Sequence, residues 1–271
     1  MTLEDTTAAA LLLGVTAIMS LVPAVLLPWR REAGGWLLWC LHLVALAGCG
    51  AALSLQLALG WNDRLNLALW LTIVVLLLLY PIIALRWRGA SRLAPLLYPY
   101  LLLLAVGATL LKSKGEAYDL GGPMTGWLMA HILYALAAYG LAGLAGIAGI
   151  AVFLQELALK RRRPNALSRR LPALADGERL QTALLAWTEL ALLATILSGM
   201  GHAAVTGAPL LTLDHKTLLV LLAFLVIGAL LLISWRRGLR GRQAARLVLS
   251  AYVLLTLAYP GVKFVSELLT V

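Results

Sequence analysis

The sequence predicts an all-α polytopic membrane protein: one bundle of eight transmembrane helices over residues 1–271, with both termini outside. Three observations carry that prediction. Of the 271 residues, 62% are hydrophobic and only 13% charged, about half the charge of a soluble domain. The apolar residues fall into runs at 7–28, 35–57, 65–85, 94–111, 126–154, 180–201, 217–235 and 244–267, each of which can cross a hydrocarbon core of about 30 Å. The basic residues also segregate. Arg30, Arg31, Arg86, Arg88, Arg92, Lys160, Arg161, Arg162, Arg163, Arg169, Arg170, Arg179, Arg236, Arg237, Arg240, Arg242 and Arg246 lie in alternate connections, against only Arg64, Lys112, Lys114, Lys216 and Lys263 in the others. That asymmetry is a positive-inside signal and puts the five-residue set outside.

The first run follows Met-Thr-Leu-Glu-Asp. With no basic segment before it and no small-residue cleavage site after it, it reads as a span and not as a signal peptide. The second holds Cys40 and Cys49, nine residues apart. At about 100° per residue they point to opposite helix faces, so they form no redox pair and no disulfide framework. It also carries His42, in "WCLHLVAL", the one histidine of the inner half. Spans three and four are joined through Arg86, Arg88 and Arg92 on the inner side.

Span five opens with "GWLMAHILYALAAYG". His131 lies five residues into it, about 8 Å below the outer surface at helical rise. Steps of four and three from His131 reach Ala135, Ala138, Ala142, Ala145 and Gly149. Such a small-residue stripe admits a neighbouring helix or a flat ligand close to the backbone, and it turns His131 toward the bundle interior, where intramembrane polar groups belong. A hydrogen bond to another helix and a ligand role both fit an imidazole so placed. The inner connection 155–179, with "KRRRPNALSRRLPALADGERL", reads as a topology anchor, a surface helix or a docking segment for a partner.

Span six carries Glu189 close to the bilayer centre, where an acid is protonated or paired and is a candidate for a proton or cation path. His202 caps its outer end, and His215 and Lys216 precede span seven on the same side. In span eight Lys263 stands one turn before Glu267, near the outer boundary. Histidines without cysteine or carboxylate clusters suit haem iron, which takes one or two imidazoles in an apolar cleft. Zinc wants three or four convergent ligands, and no HExxH or HxxxH pattern occurs; spacing alone leaves both metals open. Nucleic-acid binding is not expected despite the net charge of +10, since the longest basic connection, 155–179, lacks interleaved aromatics. No nucleophile elbow, phosphate loop or paired carboxylates appear, so an enzyme is not expected.

The segments "HILYALAAYGLAGLAGIAGIAVFLQELALKRR", "RLPALADGERL", "ILSGMG", "DHKTLLVLLAF", "RRGLRGRQA" and "LTLAYPGVKFVSELL" occur in an order that resembles the YpjD/HemX group of the CcsA-like cytochrome c assembly superfamily. The likeness runs along essentially the whole chain, with a CcsA-like core over about 94–271. In that superfamily an outer histidine opening a helix matches His131, and a tryptophan-rich outer motif has its counterpart in Leu213-Asp214-His215-Lys216-Thr217, without the tryptophans. An intramembrane histidine of the larger relatives is replaced here by Ile233-Ser234-Trp235. The resemblance implies a haem-handling protein of the bacterial inner membrane, binding a non-covalent, b-type haem near the outer face. It implies His131 as first ligand, His215 or His202 as second, and Lys216 among the basic groups that pair with propionates. Implied partners are membrane lipids, haem and a cytochrome c assembly or CorB-type membrane protein. The alternatives are an accessory subunit for cobalt or magnesium export, with Glu189 carrying function, and a regulator of haem synthesis.

Overall fold

In the computed structural model, residues 3–30, 35–58, 65–87, 89–110, 126–162, 165–209, 215–237 and 241–257 are described. They form eight helices and no strand: α1 (Leu3–Arg30), α2 (Trp36–Ala58), α3 (Leu65–Arg86), α4 (Ala94–Leu110, entered through a 3₁₀ turn at Ala90–Leu93), α5 (Gly126–Lys160), α6 (Leu174–Thr206), α7 (His215–Arg237) and α8 (Gly241–Thr256). Seven are long and apolar enough to cross a membrane. The eighth span expected at 244–267 is described only as the 16-residue α8, and its remainder, with Lys263 and Glu267, lies outside the described residues.

The helices fall into two compact units. One comprises α1–α4 with Arg169–Leu171, and the other α5–α8. In the first, α1 packs on α2 and α4, and α3 packs on the same two. In the second, α5 packs on α6 and α8, and α7 on the same two. Each unit is therefore a ring of four helices in which sequence neighbours are spatial neighbours, the pattern short connections favour.

In apolar helices of this kind hydropathy does not select the buried face; residue size and polarity do. The buried positions of α2 include Leu38, His42, Ala45, Cys49, Ala52 and Gln56, in alternating steps of four and three. Those of α5 include Ala138, Ala142, Ala145, Gly149 and Val152, with the same steps. That spacing is the seam of helices crossing at about 20°. Large apolar side chains such as Leu43, Val44, Leu103 and Leu225 are left on the outer, lipid-facing surface. Cys40 is exposed and Cys49 buried, on opposite faces of α2 as expected.

Two helix ends differ from the expected spans. Helix α5 continues past 154 to Lys160, and α6 begins at Leu174, not 180. At 35 and 33 residues they measure about 50 Å, so they outrun the hydrocarbon core. Polar residues there continue the helix in contact with water, where hydropathy no longer marks it. The Glu156–Lys160 pair, 2.9 Å apart, closes the last turn of α5. Among the described residues of the connection, 165–173 form no separate helix and are tied to the end of α5. The Gln155 amide donates to the carbonyls of Ser168 (2.7 Å) and Pro172 (2.9 Å), and Asn165 Oδ1 accepts from the Ser168 N–H at 2.7 Å. The opposite end of α6 stops at Gly207, whose φ of 71° makes the left-handed cap that a β-carbon disfavours.

Candidate functional site

The first unit buries a histidine cluster around Pro81. Proline lacks an N–H, so Pro81 leaves the Leu77 carbonyl, four residues earlier in α3, without its helical donor. His42 supplies one: its Nε2–H donates to Leu77 O at 3.0 Å. That bond fixes the tautomer, and Nδ1 then accepts from the Tyr98 hydroxyl at 3.1 Å. Trp39, Tyr80 and Tyr98 surround the ring, with centroids 5.7–6.3 Å from it. The Tyr80 hydroxyl donates onward to Ser91 O at 3.0 Å. With both nitrogens engaged and 2% exposure, His42 is a structural keystone and offers no lone pair to a metal.

In the second unit, α5 and α6 form the most extensive helix pair. His131 Nδ1 lies 2.9 Å from Thr195 O. A carbonyl only accepts, so Nδ1 carries the proton and Nε2 carries the lone pair. Metal-binding imidazoles are commonly prepared in this way, with one nitrogen held by a backbone carbonyl and the other presented to the metal. The "SGMGH" run of α6 makes the close approach possible. A β-carbon on Gly199 would sit 3.1 Å from His131 Nδ1, and one on Gly201 would sit 2.7 Å from Cε3 of Trp127. Trp127 and His131, four apart and so on one face of α5, lie against the α6 backbone at these two glycines.

His131 is half-buried. The stripe beneath it, Ala138, Ala142, Ala145 and Gly149, is fully buried. At its lower end Gly149 faces the Ala245 backbone of α8 and the Gln181 side chain of α6. Of the two occupants the stripe could admit, helices take it, and His131 itself stands at the stripe's exposed end. His202 is on α6 one turn beyond Gly199, at the same end as Trp127 and His131. His215 opens α7 at that end, eight residues after Gly207; its side chain and that of Lys216 lie outside the described residues. Among the described residues no three His, Cys, Asp or Glu side chains converge on a common point.

Glu189 stands at the middle of α6. Its Oε1 lies where a β-carbon on Gly228 of α7 would be only 2.7 Å away, and its Oε2 is buried without a partner among the described residues. Sequence reasoning singled out His131 and Glu189 but not Thr195, Gly199, Gly201, Trp127, Gly228 or Pro81. The signals available were the paired glycines of "SGMG", the tryptophan one turn before the histidine, and the proline four residues after Leu77.

The described residues thus combine seven helices long and apolar enough to cross a membrane with a carbonyl-anchored imidazole near one end of a four-helix unit. Residues 33–270 match the family model for the cytochrome c assembly protein, and the chain is a member of that family. As a member, it is a haem-handling membrane protein at the level of the family. It is 43% identical over 261 residues, 94% of its length and 96% of the relative's, to an Azospirillum brasilense protein described as an uncharacterized 28.8 kDa protein in the nifR3-like 5' region. No solved structure matches it.

Proposed function

We propose that this protein binds haem as a cargo at the end of the α5–α6 pair, with His131 Nε2 as an axial ligand. The observation that carries the reading is the His131–Thr195 hydrogen bond at 2.9 Å, which assigns the free lone pair to Nε2. Haem supplies an iron that takes one or two imidazoles and a large apolar face. This chain's residues supply the imidazole, its fixed tautomer, and an apolar helix end with Trp127 beside it. His202 and His215 are the candidates for the second axial position, and Lys216 for a propionate partner. No catalytic step is assigned. The arginine-bearing ends face the cytoplasm in this reading, so the His131 end and both termini are outside, α8 completes an eighth span, and the membrane is the bacterial inner membrane. Partners are the lipids and a membrane protein of cytochrome c assembly.

The test is an absorption spectrum of detergent-purified protein from haem-replete cells, oxidised and reduced. A Soret band that disappears in a folded His131→Ala variant is expected. Haem-free wild-type protein, or a band unaltered in His131→Ala, overturns the assignment.

A further inference from the structure

The seam between α6 and α7 carries polar groups that haem handling at the His131 end does not use. Glu189 is one. Gln181, two turns earlier on α6, is the other: it is 3% exposed, and its Oε1 has no partner among the described residues. Gly149 of α5 lies beside it: the position of a β-carbon there is 3.8 Å from Oε1, an ordinary contact distance. Gln181 lines a small crevice together with Thr182 and Leu185 of α6, Leu230, Leu231 and Ser234 of α7, and Val248 of α8. The crevice lies toward the arginine-bearing end, near Arg179 and Arg236, and has room for water. Leu185, in its wall, is one turn before Glu189.

A buried acceptor in an apolar bundle demands a donor, because hydrocarbon offers none. Gln181 Oε1 and Glu189 Oε2 both lack one among the described residues, and water is the donor that fits the crevice beside Gln181. Glu189 also has no cationic partner among the described residues. Facing it, α7 offers Gly228. The histidine of α5, His131, is toward one end of the unit and Arg236 of α7 toward the other, the end that also holds the Glu156–Lys160 pair of α5 and Arg246 of α8; the other titratable side chains described on α5 and α8 are the tyrosines Tyr134, Tyr139 and Tyr252. An uncompensated carboxylate at mid-span is costly, which favours the protonated carboxyl over the carboxylate there.

We propose that the α6–α7 seam is a proton inlet: water enters at the arginine-bearing end, is held by Gln181 and Ser234, and exchanges protons with the Glu189 carboxyl at the centre of the span. A hydronium gives its proton to the carboxylate and leaves as water; the reverse step returns it. Gly228 is the gap that lets the carboxyl lie between the helices.

Infrared spectroscopy of the full-length protein in lipid vesicles tests this. Wild type shows a protonated-carboxyl stretch that is absent from Glu189→Gln and shifts on transfer to D₂O. Gln181→Leu, close in volume, keeps the band and slows its shift about tenfold, the rate consequence of losing one hydrogen bond on the path. Ser234→Val, on the more exposed helix, slows it in the same direction and carries the comparison if Gln181→Leu does not fold. The proposal is overturned by a band that is absent, by one that does not shift in D₂O, or by a shift rate unchanged in both crevice variants. None of these outcomes bears on the Soret band, so the haem reading stands or falls separately.

Discussion

Replacing His42 with leucine removes two hydrogen bonds while leaving the apolar volume nearly intact. The Leu77 carbonyl loses its only side-chain donor at 3.0 Å, and the Tyr98 hydroxyl loses its acceptor at 3.1 Å. Interhelical hydrogen bonds in membranes average about 0.6 kcal/mol and reach about 1.7 kcal/mol. The low average arises because polar groups of a separated helix find local partners. Leu77 O cannot do so, because Pro81 occupies the position that would donate to it, so its bond belongs at the upper limit. The expected cost is therefore about 2 kcal/mol, most of it from Leu77. The assay is reversible unfolding in mixed micelles across a double-mutant cycle with Pro81→Ala. Alanine restores the helical N–H to Leu77 O, so His42→Leu loses most of its effect in that background, with a coupling of about 1 kcal/mol or more. Equal costs in the two backgrounds would refute the reasoning and reduce His42 to ordinary packing.

Other substitutions separate positioning from bulk. Gly201→Ala, whose β-carbon falls 2.7 Å from Trp127, is expected to force α5 from α6 and lower the free energy of unfolding by an amount typical of overpacking, about 1–3 kcal/mol. Gly199→Ala meets only the His131 ring at 3.1 Å; it should shift the Soret position with little change in stability, and an unmoved spectrum in a haem-loaded sample would show that the ring is not set by that glycine. Gln155→Leu removes the donor shared by Ser168 O and Pro172 O. Limited proteolysis should then cut between Lys160 and Leu174 faster than in wild type, while unchanged cleavage would mean that the connection holds without it.

Much of the fold was legible because membrane-spanning length is written directly in composition: α2 and α3 fall within a residue or two of the expected 35–57 and 65–85. The projecting ends of α5 and α6 were not, since hydropathy stops at the headgroups while helical hydrogen bonding does not. The interior-facing orientation of His131 followed from its alanine-lined stripe. Its partner did not, because the Thr195 carbonyl belongs to the backbone and every residue has one. The His42 cluster shows the same limit from the other side. Pro81 announces an orphan carbonyl at Leu77 in sequence alone, but only the packing of α2 on α3 shows that His42 answers it. The division into two rings of four helices left no mark in hydropathy, since both contain long apolar helices and only α8 is distinctly two-faced.

The most direct test of the account is His131→Gly in purified, haem-reconstituted protein, with free imidazole added back. Loss of the wild-type Soret spectrum and its recovery on titration with imidazole is the predicted result, because the glycine leaves a space that the free base fills. A glycine variant that keeps the wild-type spectrum before any imidazole is added would contradict the claim that this side chain holds the iron.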